Sequence, residues 1–226
     1  AAANQSFEVI KVLGNPRTGL STVNITSNNI SNITRNHFGF LTSMASGSGL
    51  NSFTSGITAD YTSAVQTKNI SGNTISGITQ TNTYATTAAQ QATFYSQLNG
   101  IRVRGRNATN SEINIFNNQV SNLTGANWNQ GGALSTTSIN QYTTAWNVVG
   151  INVADYQKLN VYNNEICGLS TTHTGGTANT SVFAHGVLGI NFGKSSSTAA
   201  VAKTVLGEAV YNNFIGELTA PAINSL

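Results

Sequence analysis

The chain has 226 residues, of which 39% are hydrophobic and only 8% charged, and its ten basic and seven acidic side chains leave a net charge of +3. That length can bury a core within one domain, while so thin a positive charge excludes a nucleic-acid electrostatic footprint. The single cysteine, Cys167, excludes a disulfide framework and a cysteine-rich zinc site, and no apolar run approaches the roughly 18 residues of a membrane-spanning helix.

Polarity comes instead from Asn, Thr, Ser, Gln and Gly. Neutral hydrogen-bonding side chains can stack on copies of themselves, whereas like charges in register repel. The composition therefore suits an architecture that places equivalent residues above one another, and it suits a secreted protein. The opening Ala1-Ala2-Ala3-Asn4-Gln5 lacks a basic stretch followed by an apolar one, so a signal peptide is expected to be absent or already removed.

In chain order, a short predicted strand at Val9–Val12 is followed by the block VNITSNNISNI (Val23–Ile33). A strand at Gly56–Ala59 precedes KNISGNTISGI (Lys68–Ile78), and one at Gly100–Val103 precedes INIFNNQVSNL (Ile113–Leu123). Gly150–Val153 leads to LNVYNNEICGL (Leu159–Leu169), and Gly189–Phe192 leads to EAVYNNFIGEL (Glu208–Leu218). The aligned residues Asn28, Asn73, Asn118, Asn164 and Asn213 are 45, 45, 46 and 49 residues apart. A near-constant period of this length is the mark of a solenoid.

Each repeat reads as strand, turn, strand, Asn corner, short strand and long loop. Three short strands per turn is the cross-section of a right-handed parallel β-helix, an all-β fold, here a single domain over residues 1–226. Its coils are expected near 7–33, 56–78, 99–123, 149–169 and 188–218. Ile113, Ile115 and Val120 point inward and Asn114 and Phe116 outward. One coil cannot bury its inner face alone, but a second coil ~4.8 Å away pairs every strand and closes an aliphatic column. The corner asparagines fit a bend because Asn tolerates left-handed backbone, and five copies in register could pass amide hydrogen bonds along a ladder. A β-sandwich offers no reason for the period. Residues 83–98 are the one stretch expected to form a brief helix. Long loops, at about 34–55, 79–99, 124–149 and 170–188, all leave the same corner.

The unit Gly-Ile-x-Val followed by Val-Tyr-Asn-Asn-x-Ile-x-x-Leu, best matched at Leu159–Leu169 and Val210–Pro221, resembles β-helix repeat arrays in large secreted surface proteins of the Bacteroidota. The resemblance implies export by the type IX secretion system, retention at the cell surface and an adhesin-like role. It implies location and architecture more firmly than activity.

Candidate sites follow from the register. A β-helix that degrades polysaccharide needs two converging carboxyl groups, yet no two of the seven acids fall level on adjacent coils. Asp60 falls level with Arg104 and Glu112 with Lys158, which predicts two cross-coil ion pairs. The chain is therefore expected to be non-catalytic and to need no cofactor or metal. Arg102, Arg104 and Arg106 alternate along one strand, so their guanidinium groups share a face able to clamp an anionic sugar or a phosphate. Phe116, Tyr162 and Tyr211 share one outward column, an aromatic strip that could meet a surface glycan or a partner protein. Cys167 aligns with Ser31, Ser76 and Ser121, as a corner residue would. Neither end of the array is predicted to be capped, so the expected partners are the chain itself, end to end, or the rest of a longer protein.

Overall fold

The computed structural model describes residues 7–14, 21–38, 50–61, 66–83, 94–105, 111–126, 146–172, 186–193 and 206–220. The first coil is β1 (Phe7–Gly14), β2 (Ser21–Thr26) and β3 (Asn29–Phe38), and the second is β4 (Leu50–Tyr61), β5 (Gln66–Ser71) and β6 (Thr74–Thr83). The third is β7 (Phe94–Gly105), β8 (Glu112–Phe116) and β9 (Gln119–Ala126), and the fourth is β10 (Trp146–Ala154), β11 (Lys158–Tyr162) and β12 (Glu165–Thr171). The fifth is β13 (Gly186–Gly193), β14 (Gly207–Tyr211), β15 (Phe214–Ile215) and β16 (Leu218–Thr219).

These strands form three parallel sheets, the arrangement of a right-handed parallel β-helix. Sheet A runs β1-β4-β7-β10-β13, sheet B runs β2-β5-β8-β11-β14, and sheet C runs β3-β6-β9-β12-β15 with β16 also on β12. The register is the one the repeat predicts: Ile70 pairs Ile115, Ile115 pairs Val161 and Val161 pairs Val210. Ile75, Val120 and Ile166 stack likewise in sheet C. From the first coil to the fourth these two aliphatic columns are buried and belong to one continuous core.

Sheet A departs from the expectation. Its strands start well before the glycines, so Gly56, Gly100 and Gly150 lie inside strands rather than opening them. A Cβ on Gly100 would stand 2.4 Å from Val120 Cγ1 and 2.7 Å from the Gly150 carbonyl oxygen. Glycine is there because sheet A bends and approaches sheet C too closely for a side chain. The expected loops shrink accordingly, since Thr34–Phe38, Leu50–Ser55, Thr79–Thr83 and Phe94–Asn99 are strand. The expected helix at 83–98 is overturned at Thr83 and from Phe94 onward for the same reason, and residues 84–93 lie outside those described. What remains of each loop still joins sheet C to sheet A.

The corner is also built differently. The left-handed residue is not the repeated asparagine but the one before it: Ser27, Gly72, Asn117, Asn163 and Asn212 have φ of 57°, 63°, 55°, 54° and 50°. A second left-handed column, Asn32, Gly77, Asn122, Gly168 and Glu217, kinks sheet C.

The two ends differ. Val210 and Ile215 of the fifth coil are 40% and 44% exposed, whereas Ile25 and Ile30, their counterparts in the first coil, are 5% and 4% exposed. Sheet A of the first coil is nevertheless exposed, with Phe7 and Val9 of β1 at 41% and 40%, so exposed apolar residues occur on both terminal coils.

Candidate functional site

The predicted asparagine ladder is continuous. Asn73 N and Nδ2 donate to Asn118 Oδ1 at 3.1 and 2.9 Å, and Asn118 N and Nδ2 donate to Asn164 Oδ1 at the same distances. Asn28 repeats the pattern onto Asn73, and Asn164 onto Asn213. From the second coil onward each Nδ2 also reaches back one coil, as Asn118 does to Ile70 O and Asn164 to Ile115 O. The carbonyl oxygens of Asn28, Asn73, Asn118 and Asn164 accept in turn from Thr74, Gln119, Glu165 and Phe214. Asn73, Asn118 and Asn164 are buried, and this pairing is what permits burial of an amide.

Sequence reasoning missed a second ladder on the outer face of sheet B. Asn69 Nδ2 donates to Asn24 Oδ1, Asn114 to Asn69 and Asn160 to Asn114, at 2.9, 2.9 and 2.7 Å. The signal was present in the second residue of each block, Asn24, Asn69, Asn114 and Asn160. The ladder stops where the fifth coil has Ala209.

The aromatic strip is real, and its geometry limits what it can bind. Phe116 and Tyr162 stack with centroids 5.0 Å apart and planes 3° from parallel, and Tyr162 and Tyr211 stack at 5.1 Å and 3°. Both faces of Tyr162 are thus taken by its neighbours, which leaves its edge for contact. Ring faces without a stacked aromatic neighbour in the strip remain at its two ends, on Tyr211 and on the side of Phe116 toward Ser71.

The arginine row does not form an open clamp. Arg102 is 6% exposed, and its guanidinium sits 4.2 Å over the Phe53 ring. Arg104 donates from Nε to Asp155 Oδ2 at 2.9 Å. Arg106 lies outside the described residues. Asp60 is level with Arg104, as predicted, but the ion pair forms with Asp155. The reason is local: the fourth coil turns from sheet A to sheet B within Asp155, Tyr156 and Gln157, with Asp155 at φ 58°, so its carboxylate falls against Arg104. The other predicted pair, Lys158 Nζ to Glu112 Oε1, forms at 3.4 Å on the surface.

Beside this corner, Lys68 occupies a core column between Val23 and Ile113. It is buried, and Nζ donates to Arg104 O at 3.2 Å. Burial lowers its pKa to about 8, partly opposed by the charge of Asp60. The Tyr156 hydroxyl donates to Glu208 Oε1 at 2.7 Å, and burial together with that carboxylate pushes its pKa well up. Burial, then Glu165 and Glu217, raise the Cys167 thiol, so it is not primed as a nucleophile.

No two acids occupy paired positions in the described registers. Among the described residues no three His, Cys, Asp or Glu gather as a metal site would require, and no helix is long and apolar enough to cross a membrane. No protein-family profile, curated protein or solved structure matches the chain.

Proposed function

We propose that this chain is a non-catalytic structural module, a stalk or filament segment of a secreted, cell-surface protein with an adhesin-like role. The observation that carries the reading is the polarised asparagine ladder ending on an open coil. Every rung passes donors toward the next coil, and among the described residues the Asn213 N–H finds no acceptor. Around it Tyr211, Phe214, Ile215 and Leu218 are exposed, and β14 and β15 each have one unpaired edge. A strand edge beside bare core is a template for another coil. The resemblance of the repeat to Bacteroidota surface arrays supports the location and export by type IX secretion.

The test is sedimentation velocity with negative-stain imaging of the purified chain over a rising concentration series. Association through the fifth coil produces rods or end-joined particles, and Ile215→Lys abolishes them by placing a charge in the exposed core column. A chain that stays monomeric throughout, with no difference between wild type and variant, overturns the filament reading.

A further inference from the structure

One inward column of sheet B changes character along the rod. It runs Val23, Lys68, Ile113, Leu159 and Glu208, paired in that order across β2, β5, β8, β11 and β14. Ile113 and Leu159 are fully buried, and Lys68 is buried as well. Glu208 carries this core column onto the fifth coil, where it is exposed. Its neighbours on β14 agree with that direction: Val210, the next inward residue, pairs with the core residue Val161, while Tyr211 stacks outside on Tyr162. The hydroxyl of Tyr156, itself part of the buried core, donates to Glu208 Oε1 at 2.7 Å and ties the carboxylate to the core side of the strand.

The described part of the fifth coil holds two acids, Glu208 and Glu217, and no Lys, Arg or His. Glu217 belongs to the left-handed column that kinks sheet C, outside the core columns. Among the described residues no cation pairs with Glu208, and Lys158, level with the adjacent Gly207, is committed to Glu112 at 3.4 Å. An inward-pointing charge on an edge strand guards that edge against indiscriminate pairing. A coil laid over Glu208 takes the carboxylate out of water, which is unfavourable unless that coil brings an opposite charge. A second copy of this chain brings none. Stacked by its first coil it sets Val23 over Glu208, and stacked by its fifth coil it adds its own Glu208 and Glu217 to the interface.

We propose that the fifth coil docks a β-coil of the same repeat class that sets Lys or Arg over Glu208, in preference to a second copy of this chain. Specificity then comes from the charge that the wrong partner leaves buried and unpaired. The rest of the recognition follows the columns. The partner supplies aliphatics over Val210, Ile215 and Leu218, and an Asn whose Oδ1 accepts from the Asn213 N–H, as Asn213 Oδ1 accepts from Asn164 N at 3.1 Å. One coil can hold this combination, because Lys68, Ile70, Asn73, Ile75 and Ile78 of the second coil occupy those same columns. The proposal rests on the open fifth coil described above and names what covers it.

Fluorescence anisotropy tests it on the purified chain, with a labelled synthetic peptide of residues 66–78, QTKNISGNTISGI, as the probe. Wild type binds this peptide about 10-fold more tightly than the same peptide with Lys68→Met, and the Lys68→Glu peptide binds weakest. In the chain, Glu208→Gln keeps an acceptor for Tyr156 and removes the discrimination, while Glu208→Lys inverts it in favour of the Lys68→Glu peptide. A merely structural Glu208 would change all three affinities together. Glu208→Gln alone is sufficient if Glu208→Lys fails to fold. No binding by any of the peptides, or a preference for lysine that persists in Glu208→Gln, overturns the proposal. Rods of the chain alone with no discrimination among peptides sink this proposal and leave the filament standing, whereas a monomeric chain that discriminates does the reverse.

Discussion

Replacing Asn118 with Ala tests the ladder at its centre. Asn118 Oδ1 accepts from Asn73 N and Nδ2, and Asn118 Nδ2 donates to Ile70 O, Phe116 O and Asn164 Oδ1. In the variant, Asn164 Oδ1 keeps the backbone N–H of residue 118 and Phe116 O keeps that of Gly72 at 3.3 Å. The buried Asn73 N–H, however, loses its acceptor, and Ile70 O loses its side-chain donor. An unpaired buried group costs about 1–3 kcal/mol, so the expected loss is about 2–4 kcal/mol. Asn28→Ala is the matched control. Asn28 sits on the first coil, and its Nδ2 gives up only Thr26 O and one of the two donors to Asn73 Oδ1. Its cost is at most about 1 kcal/mol. Urea unfolding followed by circular dichroism measures both. Equal losses in the two variants would refute the argument that burial of the ladder amide, and not the mere presence of Asn, sets its contribution.

Three further outcomes follow from other elements. Lys68 has its folded pKa lowered to about 8 from 10.5, so above pH 8 the folded state binds fewer protons than the unfolded chain. Stability therefore rises with pH from about 8 to about 10, by roughly 2–3 kcal/mol, before the raised Tyr156 begins to oppose it. Lys68→Met removes that rise in a pH series of urea midpoints, and a persistent rise in the variant would assign it to another group. Gly100→Ala forces a methyl against Val120 Cγ1, and thermal melts are expected to show a loss of about 1–3 kcal/mol, whereas Gly207→Ala, which meets nothing within 4 Å, is expected to leave stability unchanged. Tyr162→Ser breaks both ring stacks and is expected to cost about 1–3 kcal/mol in urea unfolding, and stability equal to wild type would show that the strip does not support the rod.

The parts of the fold legible in the sequence were those where one residue type must recur in register. The asparagines could be aligned because each needs the next, and the columns Ile70-Ile115-Val161 and Ile75-Val120-Ile166 because a shared core tolerates only aliphatics. Sheet A was harder to read. Gly56, Gly100 and Gly150 resemble strand starts, yet they mark a close approach of two sheets, which is a tertiary fact. Ser55, Gln97 and Asn99 look like loop residues because polarity on an outer face carries no strand signal when that face is buried. The Arg104–Asp155 pair was missed because corner lengths vary: the fourth coil crosses from sheet A to sheet B in three residues, so alignment by sheet register cannot place what sits in the turn. Similarly, the residue that actually bends the corner is interchangeable among Ser, Gly and Asn, while the one beside it is fixed.

The hydrogen bonds between coils lie along the rod, so a pull on its two ends loads them one layer at a time and not all together. The outermost layer yields first, and the ladder holding the next stays intact until its own turn. Each released layer frees about 45 residues, a length of roughly 150 Å when drawn out. Under tension the molecule would therefore pay out chain in discrete increments, and a tether built this way lengthens under load before it lets go.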